Sequence, residues 1–197
     1  MSRALIAELL HELGAILLIP GLALRSSQRP QVASPDLQAV LDEALQRLRE
    51  APTQQLDVAY AGLFLHGFEH PTLHLEESVM RCGELRNPAV LASLQDIMDA
   101  TGVEIMAPYE PDHLGAMASL LGHALHQLDA QEEPGLQAAA QRLLQEHLRP
   151  LQVHVSQRLE EVDAPPFYRG VIDLLGVLLQ VAETLVTAIE PQLLAAE

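Results

Sequence analysis

Histidines and acids are the residues of this chain best suited to chemistry. The sharpest pairing is Asp112-His113, inside "PYEPDHL" at residues 108–114, where a long apolar pattern begins. A helix start explains the pair without any function. Pro111 suits the first helical position, and Asp112 would then sit in the first turn, where an acid complements the helix dipole. As a catalytic pair they are poorly placed, because neighbours on a helix point about 100° apart. An aspartate so placed does not orient its neighbour as a hydrolase aspartate orients its histidine. As a recognition patch, an acid and an imidazole at a helix N-terminus can face a groove and contact the polar groups of a peptide. Composition leaves these readings open.

The other chemical groups are sparser. Among the nine histidines, His66, His70 and His74 recur every four residues, but Gly67 and Pro71 interrupt the helix that would align them. His123 and His126 are three apart and can share a helix face, with no carboxylate or cysteine at ligand spacing beside them, so surface or core histidines are expected and no metal. Cys82 follows Arg81, which can lower a thiol pKa, although a small half-buried residue is the simpler reading. With one cysteine the chain can form no internal disulfide. All eleven basic residues are arginine. Without lysine there is no Schiff-base chemistry and no phosphate-loop lysine. Neither HExxH nor a glycine-rich dinucleotide turn occurs. No enzyme class is indicated, and no cofactor is expected.

The elements that must position these residues read as helices. Residues 5, 6, 9, 10, 13, 16 and 17 are apolar at helical spacing, which predicts an amphipathic first helix ended by Pro20-Gly21 rather than a targeting leader. Ser34 is the expected cap of the next helix, with Pro35 at its first position. "TQQLDVAYAGLFLHG" (53–67) runs from a Thr53 cap to a Gly67 stop, with Leu56, Tyr60, Leu63 and Phe64 on one face. Tyr60, Phe64 and Phe68 would form an aromatic stripe. In "NPAVLASLQDIMDATG" (87–102) Asn87 caps, Pro88 starts and Gly102 stops. After Asp112-His113, one stripe carries Leu114, Met117, Leu121, Ala124 and Leu128. Two helices divided near Pro150 follow. The last helix starts at Pro165-Pro166 and runs to about residue 189, with apolar residues on more than one face, as a helix buried on several sides requires. No stretch alternates like a strand. The expectation is one all-α globular domain over 1–197, of roughly eight to ten helices by usual lengths. The polar stretch "DAQEEPG" (129–135) is the expected hinge, dividing subdomains 1–128 and 136–197. Such a hinge suits either a closed monomer or a domain-swapped dimer.

Bulk properties narrow the partners. The chain has 197 residues, 49% of them hydrophobic, and a net charge of −16. A surface this acidic repels nucleic acid and anionic lipid heads and draws arginine-bearing peptides. No apolar run reaches the ~20 residues of a membrane span, so no membrane insertion is expected.

Five segments together resemble the TorD/DmsD family of cytoplasmic chaperones for molybdenum-containing redox enzymes. "YEPDHLGAMASLL" resembles the family signature of an acid followed by Pro-Asp-His-Leu. "YAGLFLHG" (60–67), "LHLEESVMRCGEL" (73–85), "LLQEHLRPL" (143–151) and "APPFYRGVIDLLGVLL" (164–179) resemble further segments in the family's order. The resemblance spans about residues 53–180. It implies an all-helical TorD-like fold and a chaperone that is not an enzyme. It implies binding to the twin-arginine leader and body of an apo-molybdoenzyme, help with cofactor insertion, and delay of export until maturation. It maps leader binding to Tyr60, Leu63, Phe64, Asp112 and His113, with Tyr109 beside them. The chain departs from the family in having no tryptophan, with Tyr60 where one is common, and in having Met117 four residues after the motif histidine. A less aromatic groove follows. The alternatives are a helical adaptor that binds a folded redox-enzyme subunit without leader recognition, and an enzyme or metal protein using the histidines.

Overall fold

The computed structural model describes residues 2–23, 31, 35–50, 55–66, 72–131 and 133–187. Every regular element among them is helical. The elements are α1 (Arg3–Leu18), α2 (Pro35–Glu50), α3 (Leu56–Tyr60, continued by a π-helical turn Ala61–His66), α4 (Glu77–Cys82), α5 (Pro88–Thr101) and α6 (Leu114–Ala130). Then come α7 (Pro134–Arg142), a π-helical segment (Leu143–Leu148), α8 (Arg149–Glu161) and α9 (Pro166–Thr187). The all-α expectation holds.

Local signals set several of these ends. Asn87 accepts from the backbone of Ala89 and Val90 to open α5, Pro88 takes the first turn, and Gly102 closes it at φ 66°. Ser2 caps α1 by accepting from Leu5 N–H. The expected caps Ser34 and Thr53, the Gly67 stop, and Phe68, His70 and Ile189 lie outside the described residues. The polar stretch 129–135 is a short break: α6 ends at Ala130 and α7 begins at Pro134.

One expectation about a helix end is corrected. The helix after "PYEP" does not start at Pro111. His113 is its N-cap and Leu114 its first residue, so Asp112 lies outside the first turn. The reason is a short extended pairing between residues 75–77 and 112–114. Leu114 N–H donates to the Leu75 carbonyl at 2.7 Å, Glu77 N–H donates to the Asp112 carbonyl at 2.9 Å, and Glu76 bridges His113. That pairing holds the Asp112-His113 backbone extended. The expected division near Pro150 is found: α8 begins at Arg149 with Pro150 in its first turn, reached from α7 through the π segment. Proline has no N–H to give the carbonyl four residues back, and its ring crowds that carbonyl. The freed Glu146 carbonyl accepts from the Arg81 guanidinium instead.

The core is built on α9 and on a close crossing of α1 with α6. Phe167, Val171, Leu174, Leu175, Leu178, Leu179 and Ala182 of α9 are all buried, and α9 packs against α1, α2, α7 and α8. A cut at 129–135 would therefore part α9 from α1 and α2. Contrary to the expectation that no run is long enough, α9 has the length and apolarity of a membrane span, with a mean hydropathy of 1.6 over its best window. Its place at the centre of the bundle accounts for that composition. Where α1 meets α6, a Cβ on Gly14 would stand 2.6 Å from the Gly115 carbonyl oxygen, and one on Gly115 would stand 2.7 Å from the Gly14 carbonyl oxygen. Only glycines let the two backbones approach this closely.

Candidate functional site

Asp112 is buried and works on a helix other than the one it precedes. Its Oδ2 accepts from Ser78 N–H at 3.0 Å. Ser78 is in the first turn of α4, so the carboxylate caps α4 from across the fold and meets the positive end of its dipole. Asp112 Oδ1 is buried with no hydrogen-bond partner among the described residues. His113 caps α6: its Nδ1 accepts from Gly115 N–H at 3.1 Å. Burial lowers the His113 pKa, with Glu76 and Asp112 opposing it. An accepting Nδ1 fits an imidazole kept neutral.

The cap adjoins a buried polar chain. Glu77, next to Ser78, is fully buried, and its Oε2 lies 2.7 Å from His147 Nδ1. Arg81 Nε stands 2.6 Å from the other Glu77 oxygen, close enough for an ion pair although no aligned hydrogen bond forms there. On the far side, His147 Nε2 is 3.0 Å from Ser93 Oγ, which also accepts from Arg142 at 3.3 Å. The order Ser93–His147–Glu77 is that of a hydrolase relay. Two things argue against catalysis. Ser93 Oγ is bound on both sides. Ser93 also lies inside α5, where neighbouring N–H groups are consumed by helical bonds and cannot form an oxyanion hole. The chain is better read as a staple joining α4, α5 and the π segment. Segments 73–85, 108–114 and 143–151, far apart in sequence, thus meet through Glu77, Ser78, Asp112 and His147.

Tyr60, Leu63 and Phe64 are also internal. The Tyr60 hydroxyl donates to the Leu17 carbonyl at 2.8 Å, and its ring meets Phe64 edge-on at 5.0 Å. Tyr168 stands 5.4 Å from Phe64 and donates to the Leu56 carbonyl. Burial, then the charges of Glu76 and Tyr109, pushes the Tyr60 phenol up to about 12. Glu76 is the common neighbour, because its charge also bears on His113.

Tyr109 is the one expected site residue with a substantial surface, at 39% exposure. It lines a groove of about 270 Å³ between α1, the 103–109 loop and α6. Leu18, Ile105, Met106 and Leu120 make the groove apolar, and His11 and His123 stand on its rim. Met106 is 73% exposed, a large apolar side chain of the kind found at adaptable binding surfaces. The His11 pKa is lowered by burial and by the nearby His123 and His126. No group of three or more metal-ligating side chains occurs among the described residues. Cys82 is free and exposed at the end of α4.

The structure therefore brings Tyr60, Tyr109, Asp112 and His113 into one neighbourhood around Glu76, with Tyr60 and Asp112 buried, His113 half-buried and Tyr109 exposed. Sequence reasoning missed Glu77, Ser93, His147 and Met106. For Glu77 and His147 a signal was present, since both lie in the quoted segments 73–85 and 143–151. Ser93 and Met106 carried none.

Comparison with known proteins places this geometry in context. Residues 30–155, more than half of the chain, match the family model described as nitrate reductase delta subunit. No curated protein is similar enough to the chain to count as a match.

Proposed function

The chain belongs to the nitrate reductase delta subunit family, TorD-like chaperones for molybdoenzyme maturation, and on that premise we propose that it is not itself a catalyst and that it binds the twin-arginine leader and the body of an apo-molybdoenzyme. In this reading it acts in the cytoplasm, assists cofactor insertion and delays export until the client is mature. The observation that carries the proposal is the apolar groove at Tyr109 and Met106 on a chain of net charge −16. A leader combines an apolar stretch with two arginines, and such a surface offers a place for each. Tyr109 would contact the leader directly. Asp112 and His113 would hold the loop that carries it, and Tyr60, Leu63 and Phe64 would support the wall behind.

Calorimetric titration with a synthetic leader peptide tests this. Tyr109→Ala should weaken binding by ~1–3 kcal/mol, the worth of a well-packed interface aromatic. The double variant Asp112→Ala/His113→Ala should weaken it as well, by loosening the loop. Wild-type affinity in both folded variants would sink the groove assignment. One observation favours a second reading, the adaptor: five of the six expected site residues are engaged inside the fold. An adaptor would bind a folded subunit of the client and leave the isolated leader unbound.

A further inference from the structure

A second cleft lies away from the apolar groove, between α8, α4 and the extended segment 72–74. It has a volume of about 150 Å³, below the ~300–1,000 Å³ of pockets for larger organic ligands. The polar residues that line it are Thr72, His74, His154 and Arg158, alongside the apolar Leu73, Val79, Met80 and Val155. No carboxylate lines it. Acids do stand nearby. Glu76 lies 3.4 Å from His74 Nδ1, and Glu161 pairs with Arg158. They hold these side chains without lining the cleft.

A third polar cleft makes the contrast. It is lined by Arg47 and Arg169, but also by Asp173 and Glu160, and Arg47 lies 2.5 Å from Asp173. Its positive charge is answered from within, whereas the charge at Arg158 is answered from outside. His154 and Arg158 are four apart on α8, so they share a face. A guanidinium presents a planar fork of donors, an imidazole at least one N–H, and threonine a hydroxyl. Donor-bearing residues contributed to one cleft by α8 and by segment 72–74 suit a ligand that accepts hydrogen bonds.

We propose that the Thr72–His74–His154–Arg158 cleft binds a tetrahedral oxyanion of the phosphate class, either free or as the terminal group of a phosphate monoester. The site is independent of leader binding and stands whether or not that reading holds.

The test is a titration of the full-length protein followed by its histidine ring resonances. Inorganic phosphate is added against sodium chloride of equal ionic strength at one fixed pH. His74 and His154 should shift saturably with phosphate and not with chloride, while His11 and His123 in the apolar groove stay still. Arg158→Gln should raise the apparent dissociation constant about tenfold or more, as loss of one charge-assisted contact requires. A parallel titration with phenyl phosphate separates the sources. Saturation by both probes assigns the cleft to a monoester's terminal group, and saturation by phosphate alone assigns it to the free ion. Unsaturable shifts, or equal affinity in Arg158→Gln, would overturn the proposal.

Discussion

Asp112 and His113 each hold the start of a helix, and the two helices differ. Asp112 serves α4 across the fold and His113 serves α6 locally. The His113 cap has a pH consequence. Burial lowers the folded-state pKa of His113 below its ordinary value. Above the unfolded value of ~6.5 both states are neutral there and the cap is intact; below it the unfolded chain takes up a proton that the folded state resists, so stability falls with falling pH. His113→Asn keeps an N-cap acceptor and removes the titration. Urea melts between about pH 7 and 5 should show a shallower loss for His113→Asn than for the wild type. Equal slopes would mean that His113 is not what titrates. His147 makes a different prediction. Its removal leaves Glu77 buried with only Arg81 opposite, so His147→Ala should cost ~3–5 kcal/mol in urea unfolding. A loss under about 1 kcal/mol would show that the Glu77 charge is met elsewhere.

At the level of elements, the crossing of α1 and α6 is the tightest constraint. A methyl on Gly14 meets both Ser119 Oγ and the Gly115 carbonyl. The serine can rotate away, but the backbone oxygen cannot. Gly14→Ala should therefore destabilise the protein by ~1–3 kcal/mol, the usual cost of overpacking, and a thermal melt checks it. An unchanged midpoint would mean that the helices part at little cost. This is also where the limits of reading the sequence are plainest. The stripe Leu114, Met117, Leu121, Ala124 and Leu128, the Asn87 cap and the Gly102 stop all follow from spacing within one helix, and all are found. The sequence puts the start of α6 too early because the Asp112 carbonyl is held by Glu77 N–H and the Leu114 N–H by the Leu75 carbonyl, contacts between residues distant in the chain. The division near Pro150 was legible, and its π-helical form was not. Proline forecasts trouble for a helix, but whether the chain breaks or bulges depends on what meets the freed carbonyl, here Arg81. Of the residues singled out as a site, the shared helix face of Tyr60, Leu63 and Phe64 was legible from spacing. The partners that turn Tyr60 and Asp112 inward were not, because they lie on other elements: Leu17 for Tyr60 and Ser78 for Asp112.

For the whole molecule, net charge is the dominant property. With −16 over 197 residues, a peptide carrying two arginines should be steered by the field as a whole. Exposed charges are screened over ~10 Å at 0.1 M salt. If the chain binds a twin-arginine leader as proposed, that affinity should fall as salt rises, with the on-rate carrying most of the change. Stopped-flow association measured across a salt series tests this, and a flat on-rate would assign binding to apolar contact alone. The distribution of aromatic rings has a practical consequence. The chain has no tryptophan and three tyrosines, two of them sealed in the core with their hydroxyls on backbone carbonyls. The third, Tyr109, faces the groove. The protein is therefore nearly dark when excited at the red edge of indole absorption. A client peptide labelled with a single tryptophan would report its own surroundings against an almost silent background; excited at shorter wavelength, the tyrosines would transfer energy to that indole, and the part of the transfer lost in Tyr109→Phe would measure how near the groove it sits.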